Sequence, residues 1–318
     1  MNSFCTIIDS NYIAFANALY SSIAEFDKEI RLNVLVTDAE KNNLPPTLNQ
    51  HIKFYSISDL GDILFAKEIY SKYAATNKDV FRWALKPVFI IYLLQSGHDK
   101  IIYTDPDIFF VNDFSFLFKE LDTAAVLLTP HWSSTIPLDY DDDLLSLMRN
   151  GLYNAGFIGA SQNGLPAMRW WAGACHYKME KKAESGVYDD QKYLDVLPIA
   201  FDKIKIITHK GCNLAVWNIN SNKREIVDGQ LKIDGIYDPV FIHFTNKTIE
   251  HILNYNDHFL LPYLKKYKEA FSRQNLELEK PIPSLNFSTK YYLLKKIKWT
   301  IRLRTRIKRF IFNVAEKL

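Results

Sequence analysis

A chain of 318 residues, 48% hydrophobic and 14% aromatic, can bury a sizeable core; this excludes a disordered polypeptide and fits one large α/β domain, alone or with an appendage. Its three cysteines, Cys5, Cys175 and Cys212, are odd in number and lack metal-type spacing, which excludes a disulfide scaffold and points to a reducing compartment. The formal charge of +3 hides an asymmetry, because Ser288 to Leu318 hold ten Lys and Arg against the single acid Glu316 while the remainder is net negative.

No Lys or Arg occurs from Met1 to Asp27, so Phe4-Cys5-Thr6-Ile7-Ile8 reads as a first strand and not a signal peptide. No apolar run reaches the length of a membrane span, and the expected place is the cytoplasm. Asp9-Ser10-Asn11 ends the strand, and Ala14, Ala18, Leu19, Ile23 and Phe26 then recur at helical spacing. Arg31 to Asp38 and His51 to Ile57 read as further strands, and Phe81 to Gln95 as a helix with a kink point at Pro87. Lys100 to Val111 sets Asp105 and Asp107 between two apolar runs, the pattern of a buried strand with an acidic tip, and Pro106 takes the chain out of the sheet there. Ala124 to Thr129 is another strand, Gly151 to Gly159 a glycine-rich turn feeding one, and Pro239 to Phe244 a short strand ending at His243. Arg169 begins a helix whose Trp170 and Trp171 pack in the core. Strands alternating with helices predict a mostly parallel, doubly wound sheet whose ligand site lies outside the carboxyl ends of the strands.

The chemistry of these residues leaves alternatives open. Asp105 and Asp107, if buried, need a neutralising charge, and a hard divalent cation is the simplest; a solvated Asp-Pro-Asp turn is the other reading. Asp9 to Asn11 suits helix capping as well as ligand binding. Arg82 and Lys86, four apart, form either a diphosphate contact or a solvated basic face. Asn154 offers both donor and acceptor beside small residues that let a ligand approach the backbone. Asp190-Gln191 also reads as a helix cap with a first-turn acid, and Cys212 as a packed small residue. The acidic run Asp139 to Asp143 reads as a loop or helix start, and neither it nor His131 is taken as a site.

Tyr103-Thr104-Asp105-Pro106-Asp107 after an apolar strand resembles the DxD signature of GT-A nucleotide-sugar glycosyltransferases, particularly family 8. The resemblance runs in matching order from Phe4 to about Lys247. It implies that Asp9, Asn11 and Tyr12 hold a uridine-like group, and that Arg82 and Lys86 approach the diphosphate, at a spacing unlike the family's. It places Asn154 and Ala155 against the donor sugar, with Tyr153 directly adjacent to Asn154 as a small departure. Asp190 and Gln191 take the catalytic positions at the sugar hydroxyls and reacting face, and Asn213 closes the site. His243 completes a metal set with Asp105 and Asp107, suited to Mn²⁺ or Mg²⁺. The family's Gly and Lys after this histidine are replaced by Phe244-Thr245-Asn246-Lys247, so Lys247 would reach the phosphate from a different position.

By resemblance, residues 1–280 form a GT-A, Rossmann-like α/β domain with a mostly parallel sheet flanked by helices. The implied activity is metal-dependent, retaining hexosyl transfer from a nucleotide sugar, UDP-sugar first, to a hydroxyl of a glycan or glycolipid in lipopolysaccharide or polysaccharide assembly. The alternative is an inactive nucleotide-sugar-binding module. A nucleotidyltransferase would want a glycine-rich phosphate loop where Asp9-Ser10-Asn11-Tyr12 stands. Residues 281–318 read as a moderately amphipathic basic helix for an anionic membrane surface at the inner face of the cytoplasmic membrane, each Lys or Arg there worth about 1 kcal/mol, with a solvated helix end as the other reading. A nucleic-acid partner is not expected.

Overall fold

In the computed structural model the chain divides into two units, Met1–Glu279 and Lys280–Leu318. Residues 1–46, 49–136, 140–182 and 185–272 are described; the basic tail expected from residue 281 lies outside them. Strand β1 (Asn2–Ile8) leads to helix α1 (Ile13–Ala24), β2 (Arg31–Val36), β3 (Ile52–Ser56), α2 (Ala66–Tyr73) and α3 (Lys78–Gln95). Next come β4 (Lys100–Thr104), β5 (Ile108–Phe110), α4 (Ser115–Glu120), β6 (Val126–Pro130), α5 (Asp141–Asn150), β7 (Tyr153–Ser161) and α6 (Leu165–Tyr177). The chain continues through β8 (Lys181–Lys182), β9 (Val187–Tyr188), α7 (Leu197–Ala200), β10 (Ile204–Ile206), β11 (Arg224–Val227), β12 (Gln230–Ile233), β13 (Phe241–His243), α8 (Asn246–Leu253) and α9 (Leu261–Ser272).

The central sheet has the order β10-β6-β7-β4-β1-β2-β3. Its β10–β6, β4–β1, β1–β2 and β2–β3 pairs are parallel, whereas β7 runs antiparallel to both its neighbours. This is the expected α/β architecture, a mostly parallel sheet between helices. Side-chain alternation divides the core between the two faces. Cys5 and Ile7 of β1 join the cluster built with Ile69, Leu85, Phe89 and Trp171 of α2, α3 and α6, while Phe4 and Ile8 join one built with Leu19, Ile23 and Leu117 of α1 and α4. Covered on both sides, the strands read as near-continuous apolar runs.

Two local expectations change. Helix α3 starts at Lys78, earlier than Phe81, because the Asn77 side chain accepts from the Asp79 and Val80 amides and caps it. Helix α6 starts at Leu165 with proline in its first turn, and of its tryptophans only Trp171 is fully buried. Trp170 packs half-buried, edge-on to Tyr193 and Phe201.

A two-stranded ribbon outside the main sheet positions the site. β13 pairs antiparallel with β5 in the register Phe241 to Phe110, Ile242 to Phe109 and His243 to Ile108. Aromatic contacts fasten the ribbon to the sheet: Phe110 lies 5.2 Å edge-on from Phe4, and Phe241 stacks on Phe157 of β7 at 4.9 Å. Asp107 and His243 are therefore carried in opposite each other on a rigid pair of strands, where the Phe244 amide donates to the Asp107 carbonyl at 2.8 Å.

Candidate functional site

Asp105 leaves the carboxyl end of β4, and its amide donates to the Gly156 carbonyl of β7 at 2.8 Å. Its own carbonyl accepts from the Ile108 amide at 3.1 Å, which closes a four-residue turn with Pro106 at the second position, where a fixed φ is favourable. The turn brings Asp105 and Asp107 to one side, and β13 adds His243. His243 Nε2 lies 3.0 Å from Asp107 Oδ1 and 3.9 Å from Asp105 Oδ2. One ligand atom from each of the three residues falls within 4.8 Å of the others. Burial alone would raise Asp107 and lower His243, but each is the other's counter-charge and the balance reverses, holding the carboxyl below its ordinary pKa and the imidazole above its own. Gly156 is the reason there is room: a Cβ built on it would sit 2.7 Å from His243 Cε1 and 2.8 Å from both Asn154 Oδ1 and Asp105 Oδ2.

Lys86 is not on a solvated face. It is buried, with Nζ 3.2 Å from Asp105 Oδ1, 3.1 Å from Asp190 Oδ2 and 3.1 Å from the Ala155 carbonyl. Burial works against its charge, but Asp105 and Asp190 outweigh that and raise its pKa. Tyr103, fully buried, donates its hydroxyl to Asp105 Oδ1 at 2.7 Å. Asp190 is buried and raised to about 6, by desolvation first and by Asp105 as well, with Lys86 compensating only in part. Because this folded pKa exceeds the unfolded carboxylate value, Asp190 favours the folded state most below about pH 4, and that contribution is lost as pH rises through about 6, an effect of about 3 kcal/mol. Urea unfolding of the parent compared with Asp190→Asn should show a difference that falls from about pH 4 through pH 6 and is level above about pH 7; a flat difference throughout contradicts the assignment.

The neighbouring polar groups are held in place by their own partners. Asn154 Oδ1 accepts from the Gly156 amide at 2.6 Å, and its amide nitrogen faces Asn213 Oδ1 at 3.2 Å and His243 Nδ1 at 3.4 Å. Gln191 donates to the Asn150 carbonyl at 2.9 Å and accepts from the Ala155 amide at 3.3 Å, and the Asp190 carbonyl takes the Trp171 indole N–H at 2.8 Å. The apolar helix expected after Gln191 is a 3-10 turn, Lys192–Val196.

A cavity of about 350 Å³ opens over this assembly. Lys86, Asp105, Asp107, Asn154, Ala155, Asp190, Gln191 and His243 line it. Asp9, Asn11, Tyr12, Arg82, Asn213 and Lys247 are not among its lining residues. Asp9 caps the turn Ser10–Tyr12, accepting from the Asn11 amide at 3.0 Å, and takes Arg82 Nη1 at 2.6 Å, while the guanidinium lies 5.4 Å from the Tyr12 ring centre. Arg82 also pairs with Asp79. Asn213 is fully buried at φ +63°, its amide on the Pro130 carbonyl, so it braces Asn154 from behind. Lys247 is exposed on α8.

Several lining groups were not legible in the sequence. Lys181 lies over the Trp83 ring at 4.2 Å and pairs with the buried Asp189 at 3.1 Å, with Tyr188 beside it. His131 and Trp217 form another wall. Tyr188 and Asp189 adjoin the Asp190-Gln191 pair in the chain, but no local pattern links them to Trp83, Lys181, His131 and Trp217. Cys5, Cys175 and Cys212 are buried free thiols whose pKa values burial raises, in keeping with packed residues.

No family model matches the chain. It is similar to two Bacillus subtilis (strain 168) proteins described as uncharacterized. YfnD is 28% identical over 255 residues, 77% of this chain and 78% of its own length. YfnF is 24% identical over 258 residues, 79% of this chain and 83% of its own. Among solved structures, the galactosyltransferase LgtC in complex with donor and acceptor sugar analogs is 16% identical over 65% of this chain and 73% of its own, with a TM-score of 0.41. Mouse xyloside xylosyltransferase 1 is 14% identical over 78% of this chain and 99% of its own, with a TM-score of 0.47.

Proposed function

We propose that the chain is a metal-dependent GT-A glycosyltransferase that moves a hexosyl group from a nucleotide sugar, UDP-sugar first, to a hydroxyl of a glycan or glycolipid acceptor. The observation that carries this reading is the convergence of Asp105, Asp107 and His243, from two strand ends and a turn, at the base of a cavity. The donor set fits Mn²⁺ or Mg²⁺: two carboxylates and one imidazole, with space kept open by Gly156. The local charge fits as well. Even with Lys86 and His243 both charged, the carboxylates of Asp105, Asp107 and Asp190 leave an excess of negative charge, which a divalent cation would offset on displacing the His243 proton.

When bound, the cation acts as a Lewis acid that neutralises the leaving diphosphate. The chain's own residues do the rest. Asn154 and the Ala155 backbone border the donor sugar, and Asp190 and Gln191 face its hydroxyls from fixed positions, because Lys86, Trp171 and Asn150 hold them. Retention of configuration and the uridine nucleotide enter the proposal through the family 8 resemblance of the motifs. A peripheral position at the inner membrane face enters it through the basic aromatic sequence of residues 281–318 alone. Among the described residues no helix is long and apolar enough to cross a membrane.

Calorimetric titration with UDP, with and without Mn²⁺, followed by UDP-sugar hydrolysis in the same sample, tests the reading. The expected result is metal-dependent binding and hydrolysis in the parent and loss of both, by about a hundredfold or more, in Asp107→Ala. Binding that is absent, or equal with and without metal, overturns the metal-dependent reading; binding without hydrolysis leaves the inactive module.

A further inference from the structure

We infer that His131, together with Trp217, forms the subsite that receives the acceptor, with His131 Nε2 accepting a hydrogen bond from a sugar hydroxyl while the Trp217 indole meets the apolar face of the ring. The inference rests on the glycosyltransferase reading above and names a residue pair that receives the second substrate.

His131 stands just past β6, and its Nδ1 lies 3.0 Å from the Gly151 carbonyl. A carbonyl only accepts, so Nδ1 carries the hydrogen and Nε2 presents a lone pair. Among the described residues no partner meets that lone pair, and the half-buried ring lines the cavity. Burial pushes the imidazole down to about 4, a shift that the Gly151 and Leu152 carbonyls only partly reverse, so the ring stays neutral throughout the physiological range. A neutral imidazole held in this way is a fixed acceptor of hydrogen bonds and a poor base; its work is orientation and selection of hydroxyls.

Trp217 fixes where that acceptor points relative to the carboxylates. Its ring plane stands nearly perpendicular to that of His131 at 5.8 Å and to that of His243 at 5.3 Å, so it packs on both the neutral histidine and the metal-type cluster while lining the same cavity. A second substrate lying on the indole would have one edge at His131 and the other towards the base of the cavity, where the donor sugar's reacting carbon is placed by the proposal. An indole face covering a ring's C–H surface, beside one placed polar group, is the usual composition of a small-molecule subsite. The chemical class that fits is a neutral sugar hydroxyl; a hydroxyl donates to Nε2, whereas a carboxylate or phosphate would confront the lone pair with another acceptor.

The test uses the full chain labelled with ¹⁵N-histidine, saturated with UDP and Mg²⁺, and titrated with methyl glucosides and methyl galactosides of both anomers. At pH 6 to 8 the His131 nitrogens should show a protonated Nδ1 and a bare Nε2, and at least one glycoside should shift the Nε2 resonance on saturation. His131→Phe should weaken that glycoside about tenfold more than it weakens UDP, the size of one hydrogen bond to a neutral group, and His131→Gln, which restores an acceptor oxygen, should recover part of the loss. A protonated Nε2, no glycoside response at His131, or equal glycoside affinity in His131→Phe overturns the inference. Failure of UDP and Mg²⁺ to perturb the His243 resonance is a separate outcome that sinks the glycosyltransferase reading itself.

Discussion

Lys86→Ala is expected to cost about 3–5 kcal/mol of stability, because it removes a buried ammonium from between the buried Asp190 carboxylate and the partly exposed Asp105 carboxylate. Nζ is the only group within ion-pairing distance of Asp190 among the described residues, and it also meets Asp105 and the Ala155 carbonyl. Deleting it leaves Asp190 buried without a counter-charge, and Asp190 responds by retaining its proton to higher pH. The measurement is urea unfolding of Lys86→Ala, Asp190→Asn and the double variant. The double variant should recover at least half of the loss, since replacing both partners removes the uncompensated charge. A loss under 1 kcal/mol in the single variant, or additive losses in the double, would contradict the buried pair of Lys86 and Asp190. Activity should fall as well, because Asp105 and Asp190 then lack the group that fixes both of them.

Gly156→Ala is expected to lower Mn²⁺ affinity by about 10- to 100-fold and to destabilise the chain by about 1–3 kcal/mol. The added methyl would meet His243, Asn154 and Asp105 at once, all under 3.0 Å. None of these can yield cheaply: Asn154 is tied to Asn213 and to the Gly156 amide itself, and His243 lies on the ribbon pinned by Phe110 and Phe241. The main effect should therefore appear in metal binding, read by calorimetry, with a smaller effect on unfolding. Gly159→Ala on the same strand is the comparison, since its Cβ would meet side-chain carbons of Leu127 and Leu121 at 3.1–3.3 Å, and it should leave metal affinity within about twofold. Equal metal affinity in Gly156→Ala and the parent would mean that the Asp105, Asp107 and His243 cluster is not where the cation binds.

Much of the architecture was legible because it depends on local periodicity. The apolar runs at Phe4, Arg31 and Lys100 became β1, β2 and β4, and the acidic tip at Asp105-Pro106-Asp107 left the sheet where the proline stands. The reversed direction of β7 was not legible: its nine residues are all buried, and a continuously apolar strand looks the same in either orientation. The role of Lys86 was equally hidden. A lysine four residues after an arginine on a helix usually reads as surface charge, and only the packing of α3 against β4 and β7 shows that it lies between two acids.

Asp105, Asp107, Asn154, Asp190 and His243 came forward as a set through the family 8 resemblance of their segments in matching order, whereas the residue pattern by itself left a structural alternative for the acids and for a lone histidine. The sequence by itself determined the α/β alternation, the acid pair with its intervening proline, and the glycine that follows Asn154. The tertiary structure alone decided that His243 reaches the acid pair, through an antiparallel ribbon whose register spans more than 130 residues of chain. It also decided that Arg82 is held by Asp9 and Asp79, and that His131, with Nδ1 on the Gly151 carbonyl, lines the cavity. The physical reason is range. Periodicity and turn chemistry act over a few residues and can be read from them, whereas counter-charges, tautomers and the room left by a missing Cβ depend on neighbours that only folding supplies.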